Sequence, residues 1–142
     1  MKLHIITIGK PKLPYAIKGW EEYWGRLKHY HQVRVTHIAD KYNDAAHIIE
    51  AAGHSYRVAM VIHGKQFSSP ELAEFLAKRE LNSKEISFII GGPEGLSQEI
   101  IDTADYRWSL GALTLPHDLA MVVLLETLYR ASTINASHPY HK

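Results

Sequence analysis

Apolar positions along the chain switch repeatedly between two spacings. Leu3–Ile8 is a β-rich apolar run closed by Gly9 and reads as a first strand. From Pro14 onward, Ala16, Trp20, Tyr23, Trp24 and Leu27 recur at helical spacing and share one face. Val33–Ala39 alternates, with Val33 and Val35 set against Arg34 and Thr36, as a strand exposed on one side does. Asp44 stands as a cap before Ala45, Ile48, Ile49 and Ala52, and Gly53 ends that short helix.

The alternation continues through the second half. Arg57–Ile62 predicts a strand. Ser68-Ser69-Pro70-Glu71 has the capping-box form, opening an amphipathic helix through Leu81. Ile86–Ile90 reads as a buried strand running into Gly91 and Gly92, and Ser97 caps a helix reaching Ala104. Tyr106–Leu110 is a last strand, followed by an ordered loop to Pro116 and a long helix over His117–Asn135. Strand and helix alternating in this way predict an α/β fold, a parallel sheet with helices on both faces. No repeat, low-complexity segment or linker interrupts the pattern, so residues 1–142 read as one domain.

The final helix breaks the amphipathic rule. Leu119, Met121, Val122, Val123, Leu124, Leu125, Leu128 and Tyr129 cover nearly all its sides. A helix apolar all round is buried all round. Its second face is expected to meet another subunit in a homodimer; the alternative is a central core helix.

Composition narrows the function classes. The 142 residues are 46% hydrophobic and 22% charged, ordinary for a soluble globular protein. The absence of cysteine excludes disulfides and cysteine-held zinc or iron–sulfur sites, and fits a reducing, cytoplasmic setting. The longest apolar run, Leu119–Leu125, is far short of the ~20 residues of a membrane span. "MKLHIITIG" lacks the form of a signal peptide. A net charge of +1 gives no bulk basic signature for nucleic acid, so any RNA contact falls to a local patch. The histidines are scattered and no metal-ligand spacing appears.

Three stretches carry candidate chemistry. Gly91-Gly92-Pro93-Glu94-Gly95 lies between a strand and a helix but lacks both the Walker A and the dinucleotide-fold spacing; it is either a ligand-facing loop or only a tight turn. "SLGALTLPH", Ser109 to His117, is too apolar for an ordinary surface loop. It suits a ligand with an apolar body and hydrogen-bonding edges, such as adenine, or else a buried loop that satisfies its own backbone. The ending "SHPYHK" offers an aromatic face, a titratable ring and a cation on a segment that composition alone would leave frayed.

"IIGGPEGLS", "WSLGALTLPH", "LLETLYRA" and "HPYHK", in this order, resemble the RlmH family of ribosomal large-subunit RNA methyltransferases, in the SPOUT or α/β-knot superfamily. The resemblance runs from "MKLHIITIGK" to Lys142. It implies a C-terminal trefoil knot, a homodimer and S-adenosylmethionine (SAM) as cofactor. The implied reaction is methylation of N3 of a pseudouridine in helix 69 of 23S rRNA on the assembled ribosome. It places cofactor contacts at Met60, Gly91, Leu110, Gly111, Ala112, Leu113, Thr114 and Leu115, with glycine at 91 allowing close approach of the ligand. His141 is then the candidate base for the N3 proton, with Tyr140 stacking or hydrogen bonding, Arg130 orienting the target, and His117 a second candidate base.

The chain departs from the family pattern at three places. Met121 stands where an arginine is usual, Val61 where an acid is usual, and the connection from Ala39 to Arg57 is short. Each change removes charge from the expected RNA or cofactor side, and Lys10, Lys12, Arg26 and Lys28 remain as candidate phosphate contacts. Two other readings are open: a knot-fold dimer that binds SAM without transferring its methyl, and a flavodoxin-like domain binding a phosphate or flavin at Gly91–Gly95.

Overall fold

A computed structural model describes all 142 residues. Its elements run β1 (Lys2–Ile8), α1 (Pro14–Leu27), β2 (Gln32–Ile38), α2 (Ala45–Ala52), β3 (Tyr56–Lys65), α3 (Ser69–Asn82), β4 (Glu85–Ile90), α4 (Gln98–Thr103), β5 (Tyr106–Trp108) and α5 (His117–Asn135). The strands form one parallel sheet in the order β2-β1-β4-β3-β5.

Period-two alternation distributes the core over both faces. Leu3, Ile5, Ile86, Phe88 and Ile90 join residues of α1, α3 and α5 in the larger cluster. Ile6, Ile8 and Ile89 point the other way, onto Ile48 and Ala52 of α2 and Ile100 of α4. Helices therefore cover both faces, as the alternation predicts. The caps fall where the sequence puts them. Ser68 and Glu71 exchange both bonds of the capping box, and Asp44 and Ser97 accept from His47 and Ile100 N–H groups.

Two strand ends differ from expectation by more than one residue, and both lie at one crossing. β3 runs on to Lys65 because, after a bulge, Lys65 pairs with Trp108. β5 stops at Trp108 because the Ser109 hydroxyl then turns the chain, accepting the Gly111 N–H at 3.1 Å and donating to the Gly111 carbonyl at 2.9 Å. Gly64 sits at this crossing, where a Cβ would lie 2.8 Å from the backbone of Arg107 and Trp108.

Helix α5 lies between α1 and α3. Met121, Leu124, Leu125 and Leu128 are fully buried, and Val122 packs on Gly19 of α1. Its outward stripe of Leu119, Val123, Glu126, Thr127 and Arg130 is half-buried. The breadth of its apolar surface is thus accounted for largely by the sheet and two flanking helices. Met121, where an arginine was expected from the resemblance, is fully buried in the larger core cluster.

Candidate functional site

At the carboxyl ends of β3, β4 and β5, where open α/β sheets place their ligands, lies a cavity of about 630 Å³. That volume suits a mononucleotide-sized ligand. Met60, Val61 and Ile62 of β3 form one wall, and Ile90 with the glycine loop forms another. Trp108, Leu110, Gly111 and Leu113 to Pro116 close the third, with His117 and Ala120 of α5 at its base.

The glycine loop is rigid by construction. Gly95 N–H donates to the Gly92 carbonyl at 2.9 Å, with Pro93 and Glu94 at the turn's centre and Gly95 at φ +77. A Cβ on Gly91 would meet the Gly95 carbonyl carbon at 2.5 Å. Glycine at 91 is therefore demanded by the loop's own backbone, before any question of ligand approach. Gly111 adopts φ +139, which only glycine enters readily. Leu113 is 81% exposed at the rim and Ile62 49%, so two apolar side chains stand open at the mouth.

His117 is held beside Asp118, its Nδ1 3.7 Å from Oδ1, and its Nε2 is buried without a hydrogen-bond partner. Asp118 faces the other way as well. Its Oδ2 accepts Leu13 N–H at 2.7 Å and Lys12 N–H at 2.8 Å, which holds its carboxyl below the ordinary range. The segment carrying the exposed Lys10 and Lys12 is thereby fastened to the start of α5.

The C-terminal tail is docked and ordered. Beyond α5, Ser137 takes φ 58, with Ser137 N–H on the Ile134 carbonyl at 3.1 Å and His138 N–H on that of Thr133 at 2.9 Å. This Schellman turn folds the tail back along α5. The Tyr140 ring meets Tyr129 edge-on at 4.7 Å, and its hydroxyl donates to Glu126 at 3.1 Å. Burial, then contacts with Tyr23 and Glu126, push the Tyr140 hydroxyl up from its ordinary value. Arg130 bridges Glu126 at 2.7 Å, lies 4.7 Å from the Tyr140 ring centre, and donates to His141 Nδ1 at 3.2 Å. Glu126 holds the guanidinium above its usual value, so it stays charged. Arg26 stands over Tyr23, Tyr129 and Tyr140, part of this cluster and not a free surface charge.

The expected residues therefore separate into two groups. Met60, Gly91, Leu110, Gly111, Leu113, Thr114, Leu115 and His117 line one cavity. Ala112 lies in the same loop but is not part of the wall. Arg130, Tyr140 and His141 form a second group at the other end of α5; thirteen residues of helix at 1.5 Å each put Arg130 about 20 Å from His117 along the axis.

The sequence of this chain matches, over residues 1–141, the family described as "Predicted SPOUT methyltransferase". It is 50% identical to the ribosomal RNA large subunit methyltransferase H of Deinococcus radiodurans, over 100% of this chain and 99% of that protein. The corresponding protein of Pseudomonas fluorescens is 38% identical, each covered in full. The chain belongs to the RlmH family of SPOUT methyltransferases.

Solved structures share the RlmH-chain fold at low identity. A probable methylase family protein from Haemophilus influenzae aligns with TM-score 0.63 at 12% identity, covering 99% of this chain and 70% of the other. The SpoU methyltransferase AviRb from Streptomyces viridochromogenes, solved with AdoMet, aligns with TM-score 0.52 at 16% identity, over 97% and 58%.

Within the RlmH frame, sequence reasoning passed over Asp118, Glu126 and Trp108. The i, i+4 spacing of Glu126 and Arg130 was a readable signal. The tie from Asp118 to Lys12, 106 residues away, left none. Val61 lies in the cavity wall.

Proposed function

We propose that this protein methylates N3 of a pseudouridine in helix 69 of 23S rRNA, using SAM, as a homodimer acting on the assembled ribosome in the cytoplasm. The observation that carries the reading is the cavity at the strand ends, walled by Gly91–Gly95 and the 108–117 loop, in a chain of the RlmH family.

The residues present fit the cofactor. Met60, Leu110 and Leu115 offer apolar faces to a purine, and the loop backbone offers the donors and acceptors its edge needs. When bound, SAM supplies a methyl group already activated on sulfonium, so the protein's part is orientation and proton removal. Overall, one N–C bond forms, one S–C bond breaks, and the N3 proton leaves.

The separation of the two residue groups gives the dimer a purpose. With Arg130 about 20 Å from His117 along α5, and Tyr140 packed at Glu126 about 14 Å from it, a cavity is served best by Arg130, Tyr140 and His141 of a second copy. Leu119 and Val123 on the outward stripe of α5 are suited to that contact. The knotted C-terminal topology belongs to the same proposal, supported by the tight passage of Arg107 and Trp108 across Gly64. Lys10 and Lys12, exposed on the segment tied to the start of α5, supply cations for backbone phosphates in this reading. Met121 in the core gives no support to a reading without catalysis.

The test is mass spectrometry of helix 69 fragments from methyl-free ribosomes incubated with protein and SAM, on both 70S and 50S particles. A mass gain of one methyl on the pseudouridine is expected; unchanged fragments from both particles contradict the proposal.

A further inference from the structure

We propose that Glu94 is the charge-recognition residue of the cavity, selecting ligands that carry a positive charge beside their apolar body. The inference rests on the cofactor reading above and adds a specificity residue that neither the motif comparison nor the fold assigns.

Among the residues lining the cavity, Glu94 alone carries a fixed formal charge. The opposing wall is apolar, with Met60, Val61 and Ile62 on β3, and no lysine or arginine shares the lining with the carboxylate. Glu94 stands exposed at the cavity rim, where a carboxylate without a protein counter-ion attracts a cation and repels phosphate.

The backbone that carries Glu94 is fixed at the cavity rim. It follows Pro93 inside the turn closed by Gly95 N–H on the Gly92 carbonyl at 2.9 Å. Gly91 packs too tightly on Gly95 and Leu96 for the loop to slide, since even a Cβ would come within 2.5 Å. A turn with no function for its acid would accept glutamine there at no cost to binding. SAM offers two cationic groups, its sulfonium and its α-ammonium, and both present the chemistry that a lone carboxylate recognises.

Calorimetry with full-length protein and Glu94→Gln separates these cases, using SAM, S-adenosylhomocysteine and methylthioadenosine. The last has the purine and the thioether but neither charge. Glu94→Gln is expected to weaken SAM about fivefold while changing methylthioadenosine by less than about twofold, the scale of a partly exposed ion pair. An equal loss for S-adenosylhomocysteine assigns Glu94 to the ammonium, and a smaller loss assigns it to the sulfonium. Unchanged SAM affinity overturns the proposal, and so does a parallel loss for methylthioadenosine, which marks a structural role. Wild-type protein that binds none of the three overturns the cofactor reading itself.

Discussion

Arg130 Nη1 donates to His141 Nδ1 at 3.2 Å. A guanidinium has no acceptor, so Nδ1 must be the accepting nitrogen and the neutral ring carries its proton on Nε2. In this arrangement His141 presents a donor to a target base; to take the N3 proton it must leave Arg130 or turn. Nitrogen NMR of the His141 ring is expected to show an almost pure Nε2–H form, and Arg130→Ala to relax it to the mixture of tautomers of a free imidazole. The same substitution is expected to lower methyl transfer about tenfold or more while SAM affinity falls much less.

Asp118 sits where one carboxylate oxygen takes two backbone N–H groups, of Leu13 and Lys12. Charge-assisted bonds of this kind make Asp118→Ala cost about 2–3 kcal/mol in urea unfolding at neutral pH. The folded carboxyl lies below its unfolded value. The stabilisation is therefore complete above the unfolded value of about 3.9 and is lost as pH falls through the lower folded one. The gap between wild type and Asp118→Asn is expected to shrink only in that acid window.

One buried and one half-buried histidine act at milder pH. His4 is fully buried and sits at about 4, held down by burial and then by Arg34. His31 is likewise held at about 4, by burial and then by the N-terminal ammonium. The unfolded chain takes up these protons near 6.5, so stability is full above that pH and falls as pH drops toward 4. The slope reaches about 1.4 kcal/mol per pH unit for each histidine. Urea midpoints between pH 7.5 and pH 5 are expected to follow this slope, and His4→Gln to flatten it.

The two glycines at positions 91 and 25 predict opposite outcomes. Alanine at 91 would place its Cβ 2.5 Å from the Gly95 backbone, whereas at 25, within α1, nothing lies within 4 Å. Gly91→Ala is expected to cost about 2–4 kcal/mol or to spread the glycine loop and weaken SAM binding. Gly25→Ala is expected to gain about 0.5–1 kcal/mol. Thermal unfolding and SAM calorimetry of both variants check the pair.

The local signals in the chain were strong ones. The Ser68–Glu71 box, the Asp44 and Ser97 caps, and the helix from His117 to Asn135 were legible because each is fixed by neighbouring residues. The strand ends around Lys65 and Trp108 were not, because a pairing between residues far apart in sequence sets them. The docked tail was hidden for another reason: Ser137 holds a left-handed turn where glycine would have signalled it. Of the site, the cavity walls follow the loop motifs closely. Only the structure shows that Arg130, Tyr140 and His141 stand apart from them. Position 121 was legible as core from its spacing: Met121 lies in phase with Leu124, Leu125 and Leu128, on the core side of α5.

The central claim is a site built from the cavity of one protomer and the tail of another, and mixed dimers test it most directly. Leu113→Arg blocks the mouth at an exposed position, and Tyr140→Ala/His141→Ala removes the tail groups. Each variant alone is expected to be inactive in methyl transfer to ribosomes. Refolded together in equal amounts, half the dimers are mixed and each of these has one intact site, so about a quarter of wild-type activity should return. A mixture that forms mixed dimers yet stays as inactive as its parents would contradict the shared site.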